Sequence, residues 1–383
     1  MPSADAGTDW LAAIDPEEAA TLTATLVAIR SYPGEERDVQ EAVATWLRAN
    51  GIAAEERPTE DLNRPNIVAQ IENGPGPVLL LNGHTDTVLA AEGWSSDPWT
   101  PRRDGDRLYG LGACDMKSGV AAAMLATRSL DRHRDRWGGT VIFTSVVDEE
   151  AYSIGARALI NGGIRADACI VTESSWEQPA LGSVGKVLIK VEVIGKASHA
   201  SWPWKGVNAA VEAARFAVAM ERLPLGTHAR LRASQCVLSL LSGSAQYVIT
   251  VPEKATILVN RHIVPGETAE SVLAQYQALA GGLNSPAQFE LSIAPPYYPS
   301  WEIGADHPLV VALATAYSAE TGSVPEWGYI GFGDANLFSD AGIPTVQVGP
   351  HGGNYHAANE WVSVQSIAAA ARVLLRTAEV ILA

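Results

Sequence analysis

The sequence predicts an α/β protein: a mostly parallel sheet with helices on both faces, into which a smaller α+β unit is inserted. Three observations predict it. Short apolar runs alternate with segments of helical periodicity from Asp15 to Val171. Strand-like alternation takes over from about Ser183 to Ile293, and a helix, a strand and a helix then complete the chain. With 383 residues, 47% of them apolar and 18% charged, the chain is long enough for two hydrophobic cores. The expected division is 1–182 and 294–383 for the larger domain and 183–293 for the inserted one.

Taken in order, Asp15 reads as an N-cap, with Pro16 at the first helical position and Glu17 and Glu18 in the first turn of a helix running to about Arg30. A second helix carries Val39, Val43, Trp46 and Leu47 on one face and stops at Asn50 and Gly51. Strand-like runs follow at 67–71, 78–81, 141–147 and 168–171, with a helix at about 116–130 among them. In the inserted segment, runs at 187–193, 237–241, 255–260 and 289–293 accompany helices near 208–222 and 269–280. Pro295, Pro296, Tyr297, Tyr298 and Pro299 mark the return to the larger domain, which ends with a helix, a strand at 345–348 and a C-terminal helix.

Composition narrows the function. A formal charge of −16 argues against nucleic acid and anionic membranes as partners. Cys114, Cys169 and Cys236 lie far apart with no CxxC pair, so neither a disulfide framework nor a thiolate zinc site is expected, and a reducing cytoplasm fits. The opening MPSADAGTDWLAAIDPEEAA has no basic or apolar leader region, and no later stretch suits a membrane span.

The chemistry lies where apolar runs stop. VLLL leads to His84 and Asp86, VIFTSVV to Asp148, Glu149 and Glu150, CIVT to Glu173, and TVQV to GPHGGNYHAANE with His351 and His356. Asp115 follows from the Gly-rich GLGACDMKSG. Carboxyl ends of parallel strands share one edge of the sheet, so these groups are expected to converge. Any one of them, in a chain with 43 acidic residues, is ordinarily a turn residue, an N-cap or a surface histidine. Several carboxylates meeting in one place repel and need cations. Two His with several Asp and Glu suit zinc, with cobalt or manganese as alternatives, and one carboxylate can bridge two ions about 3.5–4 Å apart.

HTDTV, GACDMKSG, DEE, TES and the late HAANEW, in this order and spacing, resemble the dinuclear zinc peptidase and deacylase family of acetylornithine deacetylase, succinyl-diaminopimelate desuccinylase, aminoacylase and glutamate carboxypeptidase. The likeness covers nearly the whole chain, including Trp94, Asp97 and Pro98 ahead of Gly105, and GKASHASWPWKGVNAA in the inserted segment. The resemblance implies that His84 and Glu173 hold one ion, Glu150 and His356 the other, and that Asp115 bridges them. It implies Glu149 as the general base, passing a proton from water to the leaving nitrogen, and Asp86 as the group that orients His84. It also implies that the inserted domain is a lid through which a homodimer forms. His199 in that lid would polarise the scissile carbonyl, typically from the partner subunit.

Arg261, in VNRHIVPGE, stands for the family arginine that binds a substrate carboxylate, with a salt-bridged strand arginine as the alternative. The turn of Gly349, Pro350, His351 and Gly352 is expected to offer N–H groups to the same carboxylate. Some positions depart from the pattern: Leu111 where many relatives have Arg, Ser118 where they often have Gly, and Ile249 in YVITVPEK where many have Asn. Cys114, beside Asp115 but without a base partner, reads as a packed residue. Trp176, Trp202 and Trp204 lie near site loops and either line a pocket for an apolar or aromatic group or pack an interface.

The expected activity is hydrolysis of the amide bond of a small N-acyl amino acid or related compound with two divalent ions. A dipeptidase, carboxypeptidase or N-carbamoyl amidohydrolase is the rival within the same chemistry. A non-catalytic metal- or small-molecule-binding protein is the rival outside it.

Overall fold

The computed structural model describes residues 9–243 and 249–383. The leader reading of the first eight residues, and Tyr247 and Val248 of YVITVPEK, lie outside them. The chain divides into two units: 1–182 with 303–328 and 333–383, and 183–302 with 329–332.

The larger unit is built on a sheet with strands β1 (Glu55–Arg57), β2 (Asn66–Asn73), β3 (Val78–His84), β4 (Gly139–Val146), β5 (Ala168–Val171) and β6 (Thr345–Gln347). Their spatial order is β1-β2-β4-β3-β5-β6. The four strands β4, β3, β5 and β6 run parallel, while β1 and β2 add antiparallel at one side. Strands covered on both faces cannot alternate, which is why VLLL, VIF and CIV read as continuous apolar runs and are buried at every position but the half-buried Val78.

Helices supply the cover. Asp15 caps Pro16–Val27 by accepting the Glu17 N–H, and Arg37–Ala49 buries Val39, Val43 and Leu47 before ending at Asn50 and Gly51. Ser118–Arg132 is buried on every side from Ser118 to Leu130, and Val364–Ile381 starts from the Ser363 cap. Two features were not expected from sequence. The helix Ile154–Asn161 has only eight residues, too few to display a period. Strands Arg102–Asp104, Arg107–Tyr109, Gly352–Gly353 and Trp361–Ser363 form a second, antiparallel sheet from pieces of two or three residues. Among the described residues no helix is long and apolar enough to cross a membrane.

The smaller unit is a four-stranded antiparallel sheet in the order Ser234–Gly243, Lys254–Ile263, Gly185–Ile194, Gln288–Tyr298. Helices Ala209–Met220 and Ala269–Gly282, capped by Asn208 and Thr268, cover one face. Ile189, Val191, Ile257 and Val259 meet Phe216 and Tyr276 in its core. This unit runs on past 293 to Glu302, because Gln288–Tyr298 continues through Pro295 and Pro296. It is an edge strand with an irregular register between Ala294 and Tyr298, and such positions tolerate proline.

Gly119 sets how closely the helix Ser118–Arg132 approaches β5. A Cβ there would stand 1.9 Å from the Thr172 carbonyl oxygen. Gly119→Ala is therefore expected to cost about 1–3 kcal/mol or more through overpacking. Urea unfolding should show a lower midpoint, and an unchanged one contradicts this packing.

Candidate metal centre

The parallel strands end on one edge, and the residues after them form the site. His84 closes β3, Glu149 and Glu150 follow β4, and Glu173 follows β5. Asp115 sits in the turn Ala113–Lys117 ahead of the helix Ser118–Arg132. Gly112 starts that turn with φ of 77°, and a Cβ on it would lie 2.5 Å from Thr87 Cγ2, so glycine is required on both counts. Buried Lys117 anchors the turn by donating to the carbonyl oxygens of Leu26 at 3.0 Å and Ile29 at 2.8 Å.

The acidic turn after β4 is held on several sides. Asp148 takes φ of 67°, and its carbonyl oxygen accepts the Ser153 N–H at 2.6 Å. Its carboxylate accepts the Tyr152 N–H at 3.1 Å and pairs with Arg64, which also donates through Nε to Glu36 at 2.9 Å. Asp86 accepts the N–H groups of Glu149 at 3.1 Å and Glu150 at 3.0 Å. Asp86 thus positions the two glutamates as well as the imidazole beside it, a task that sequence reasoning did not assign to it.

Asp115 lies between two imidazoles. Its Oδ1 is 3.3 Å from His84 Nε2, and its Oδ2 is 3.2 Å from His356 Nε2. Glu173 Oε1 is 3.4 Å from His84 Nε2, and Glu150 Oε1 is 3.2 Å from His356 Nε2. Glu149 Oε2 stands 3.8 Å from His84 Nε2. The sets His84, Glu149, Glu173 and His84, Asp115, Glu150 each bring ligand atoms within 4.8 Å of one another.

Burial pushes Glu149 well above the ordinary carboxylate range, raises Glu150, and lifts Glu173 to about 7. Burial also acts against Asp115, but hydrogen bonds with His356 and His84 outweigh it and hold that carboxyl below the usual range. Burial opposes a charge on His84, yet the carboxylates of Asp115, Asp86 and Glu173 around its ring raise it well above an ordinary imidazole. Hydrogen bonds with Asp115 and Glu150 lift His356 to about 10.

This donor set fits divalent cations. His84 Nδ1 faces the Asp86 carbonyl oxygen at 3.1 Å and its Oδ1 at 3.5 Å. A proton on Nδ1 leaves Nε2 buried, without a well-formed hydrogen bond, and aimed at acceptor oxygens. A second proton or a metal ion satisfies that geometry, and two imidazoles with four carboxylates are suitable ligands for a metal pair.

Arg261 is buried on the core face of Lys254–Ile263 and paired through Nη2 with Glu267 at 2.6 Å, while its Nε and Nη1 have no partner among the described residues. The His351 N–H is taken by Ser366 Oγ at 2.9 Å and its ring contacts Glu177, which leaves that N–H unable to serve a substrate carboxylate. Gly349 is buried, its Cα set against the carbonyls of Thr172 and Glu173. His199, in the smaller unit, is exposed and accepts the Ser201 N–H on Nδ1 at 3.1 Å. Trp176 packs on Tyr317 at 5.1 Å, whereas Trp202 and Trp204 are exposed. Cys114 is buried, and burial pushes its thiol well up.

Sequence reasoning missed three groups beside the cluster. Arg64 pairs with Asp148, and Glu360 accepts the Asp115 N–H. Asp334, raised to about 6 by burial, accepts from Asn82 Nδ2 at 3.2 Å. The signal for Glu360 was present in HAANEW, where an acidic residue follows His356 by four positions.

Fold and cluster together define a metal-dependent hydrolase. The chain belongs to peptidase family M20/M25/M40, whose model matches residues 80–380. Members of this family hydrolyse amide bonds and in general depend on two metal ions. The chain is similar to the succinyl-diaminopimelate desuccinylase of Methylobacterium radiotolerans, 30% identical over 371 residues, 92% of this chain and 94% of the relative. It is 36% identical to the acetylornithine deacetylase of Photorhabdus laumondii over 170 residues, 44% of this chain and 43% of that one. An aminopeptidase from Bacillus cereus shares the fold with a TM-score of 0.78 at 22% identity, covering 96% of this chain and 99% of that one. A tripeptidase from Staphylococcus aureus does so with a TM-score of 0.76 at 23% identity, covering 96% and 98%.

Arg64 offers a direct test of the turn after β4. Its removal leaves Glu36 and Asp148, both buried, without their cation. Arg64→Met is expected to lose about 3–5 kcal/mol, as broken buried pairs do. Chemical denaturation reads this as a lower midpoint, and wild-type stability contradicts the pairing.

Proposed function

We propose that the protein hydrolyses the amide bond of a small N-acyl amino acid or related compound, using two divalent metal ions with zinc favoured. The observation that carries this is Asp115, whose two oxygens face two separate sets, His84 with Glu173 and His356 with Glu150. In this reading the first set holds one ion, the second set holds the other, and Asp115 joins them. Bound there, such ions supply Lewis acidity, which brings the pKa of a water down to about 7 and polarises an amide carbonyl.

Glu149 is the general base. Its carboxylate stands beside His84 and against the Gly333 backbone, where a Cβ would come within 2.5 Å of Oε1. Held in that way, it takes the proton of the attacking water and passes it to the departing nitrogen. Asp86 keeps Glu149, Glu150 and His84 in register. His199 takes the family role of donor to the substrate carbonyl oxygen, a role served typically from the partner of a dimer; its Nδ1 accepts the Ser201 N–H, which leaves Nε2 as the donor.

The similarity to a desuccinylase and a deacetylase supports an N-acyl substrate over a peptide or N-carbamoyl compound. A homodimer through the smaller unit is supported by its edge strand Ser234–Gly243, which exposes Leu238 and Leu241, and by exposed Val218 on the helix beside it.

A panel of N-acetyl, N-succinyl and N-carbamoyl amino acids, dipeptides and tripeptides, assayed with zinc, cobalt or manganese, tests the reading. N-acyl amino acids are expected to be cleaved best. Glu149→Gln should lower kcat by about 10²–10⁴ and His199→Ala by about 10²–10³, both with bound metal unchanged. Peptide cleavage alone would move the substrate class, and unchanged turnover in Glu149→Gln would remove the mechanism.

A further inference from the structure

Glu360 belongs to the loop that carries His356 but has no part in the chemistry derived so far. Its side chain is 1% exposed, and among the described residues it makes no ion pair. Instead it accepts three backbone N–H groups from one turn. Gly112 donates to Oε2 at 2.8 Å, and Cys114 and Asp115 donate to Oε1 at 2.7 and 2.9 Å. The Glu360 carbonyl oxygen accepts a fourth, from Gly110 at 3.1 Å.

A buried carboxylate satisfied by main-chain donors alone is costly to place and strongly directional. Here it ties two segments far apart in sequence, the Asp115 turn and the His356 loop. Asp115 is gripped at its own N–H, in the same residue whose carboxylate faces both imidazoles. The strand pairing of Trp361 with Tyr109 already joins the neighbouring segments, so the chain can pass this way without the carboxylate. What the carboxylate adds is a fixed placement of the Asp115 backbone relative to the loop of His356.

We propose that Glu360 is a positioning residue for the metal pair, holding Asp115 at the distance from His356 that lets one carboxylate serve both ions. This rests on the two-ion reading above. Glu360→Gln keeps the shape, but its NH₂ must face an N–H donor. Glu360→Ala leaves all three donors without their acceptor.

The test is zinc titration of metal-free full-length protein against a chromophoric chelator, with thermal melts and cobalt(II) absorption spectra alongside. Wild type is expected to take up two ions. Glu360→Gln should bind the weaker ion about 10–100-fold less tightly, in line with the usual effect of groups that orient ligands, with an altered cobalt spectrum. Arg372→Ala, which breaks the pair with Glu320 between two outer helices, serves as the control for stability alone. It should lower the melting temperature and leave both dissociation constants unchanged. If Glu360→Ala does not fold, the near-isosteric Glu360→Gln decides the matter. Two ions bound at wild-type affinity by Glu360→Gln would overturn the proposal, while fewer than two bound by wild type would overturn the underlying reading and the proposal with it.

Discussion

Like charges crowded at the end of a parallel sheet repel, and much of the larger unit is arranged to keep Asp115, Glu149, Glu150 and Glu173 together despite that. Two carboxylates about 4 Å apart oppose each other by roughly 4 kcal/mol at an effective dielectric of 20, several times the net worth of one hydrogen bond. Local contacts cannot offset four such groups. The sheet brings them to one edge, and the turns are then locked from behind by Asp86, Arg64, Lys117 and Glu360. Cations would complete the balance: Nε2 of both imidazoles faces the carboxylates, and His84 Nδ1 is already engaged with Asp86.

Much of this was legible in the residues because the sheet is covered on both faces. Continuous apolar runs mark where each strand stops, so the polar residue after it falls on the edge where ligands bind. His84, Glu149, Glu150 and Glu173 were all readable in that way, and the structure brings them together with Asp115 and His356. HAANEW marks Glu360 as an acidic residue near His356, but the buried roles of Arg64 and Glu360 were not readable, because a charge in a loop has the same local signature whether solvated or buried. Their burial depends on segments distant in sequence: Arg64 meets Asp148, and Glu360 meets the Gly112 turn.

Arg261 shows the opposite case. Period-two alternation in ATILVNRHI puts Arg261 on the side of Ala255, Ile257 and Val259, the side that becomes the core, and puts Asn260 and His262 on the other. That parity accounts for the burial of Arg261 and its pair with Glu267, which family likeness alone did not indicate. The proline pair misled for a related reason. Prolines usually close a strand, but on an irregular edge they interrupt no ladder that the sheet needs.

The central claim is that one carboxylate, Asp115, stands between two cations. Diffraction from zinc-soaked crystals, recorded on either side of the zinc absorption edge, tests it most directly. The account predicts two anomalous peaks about 3.5–4 Å apart, one beside His84 and Glu173, the other beside His356 and Glu150. A single peak, or peaks remote from Asp115, would contradict it.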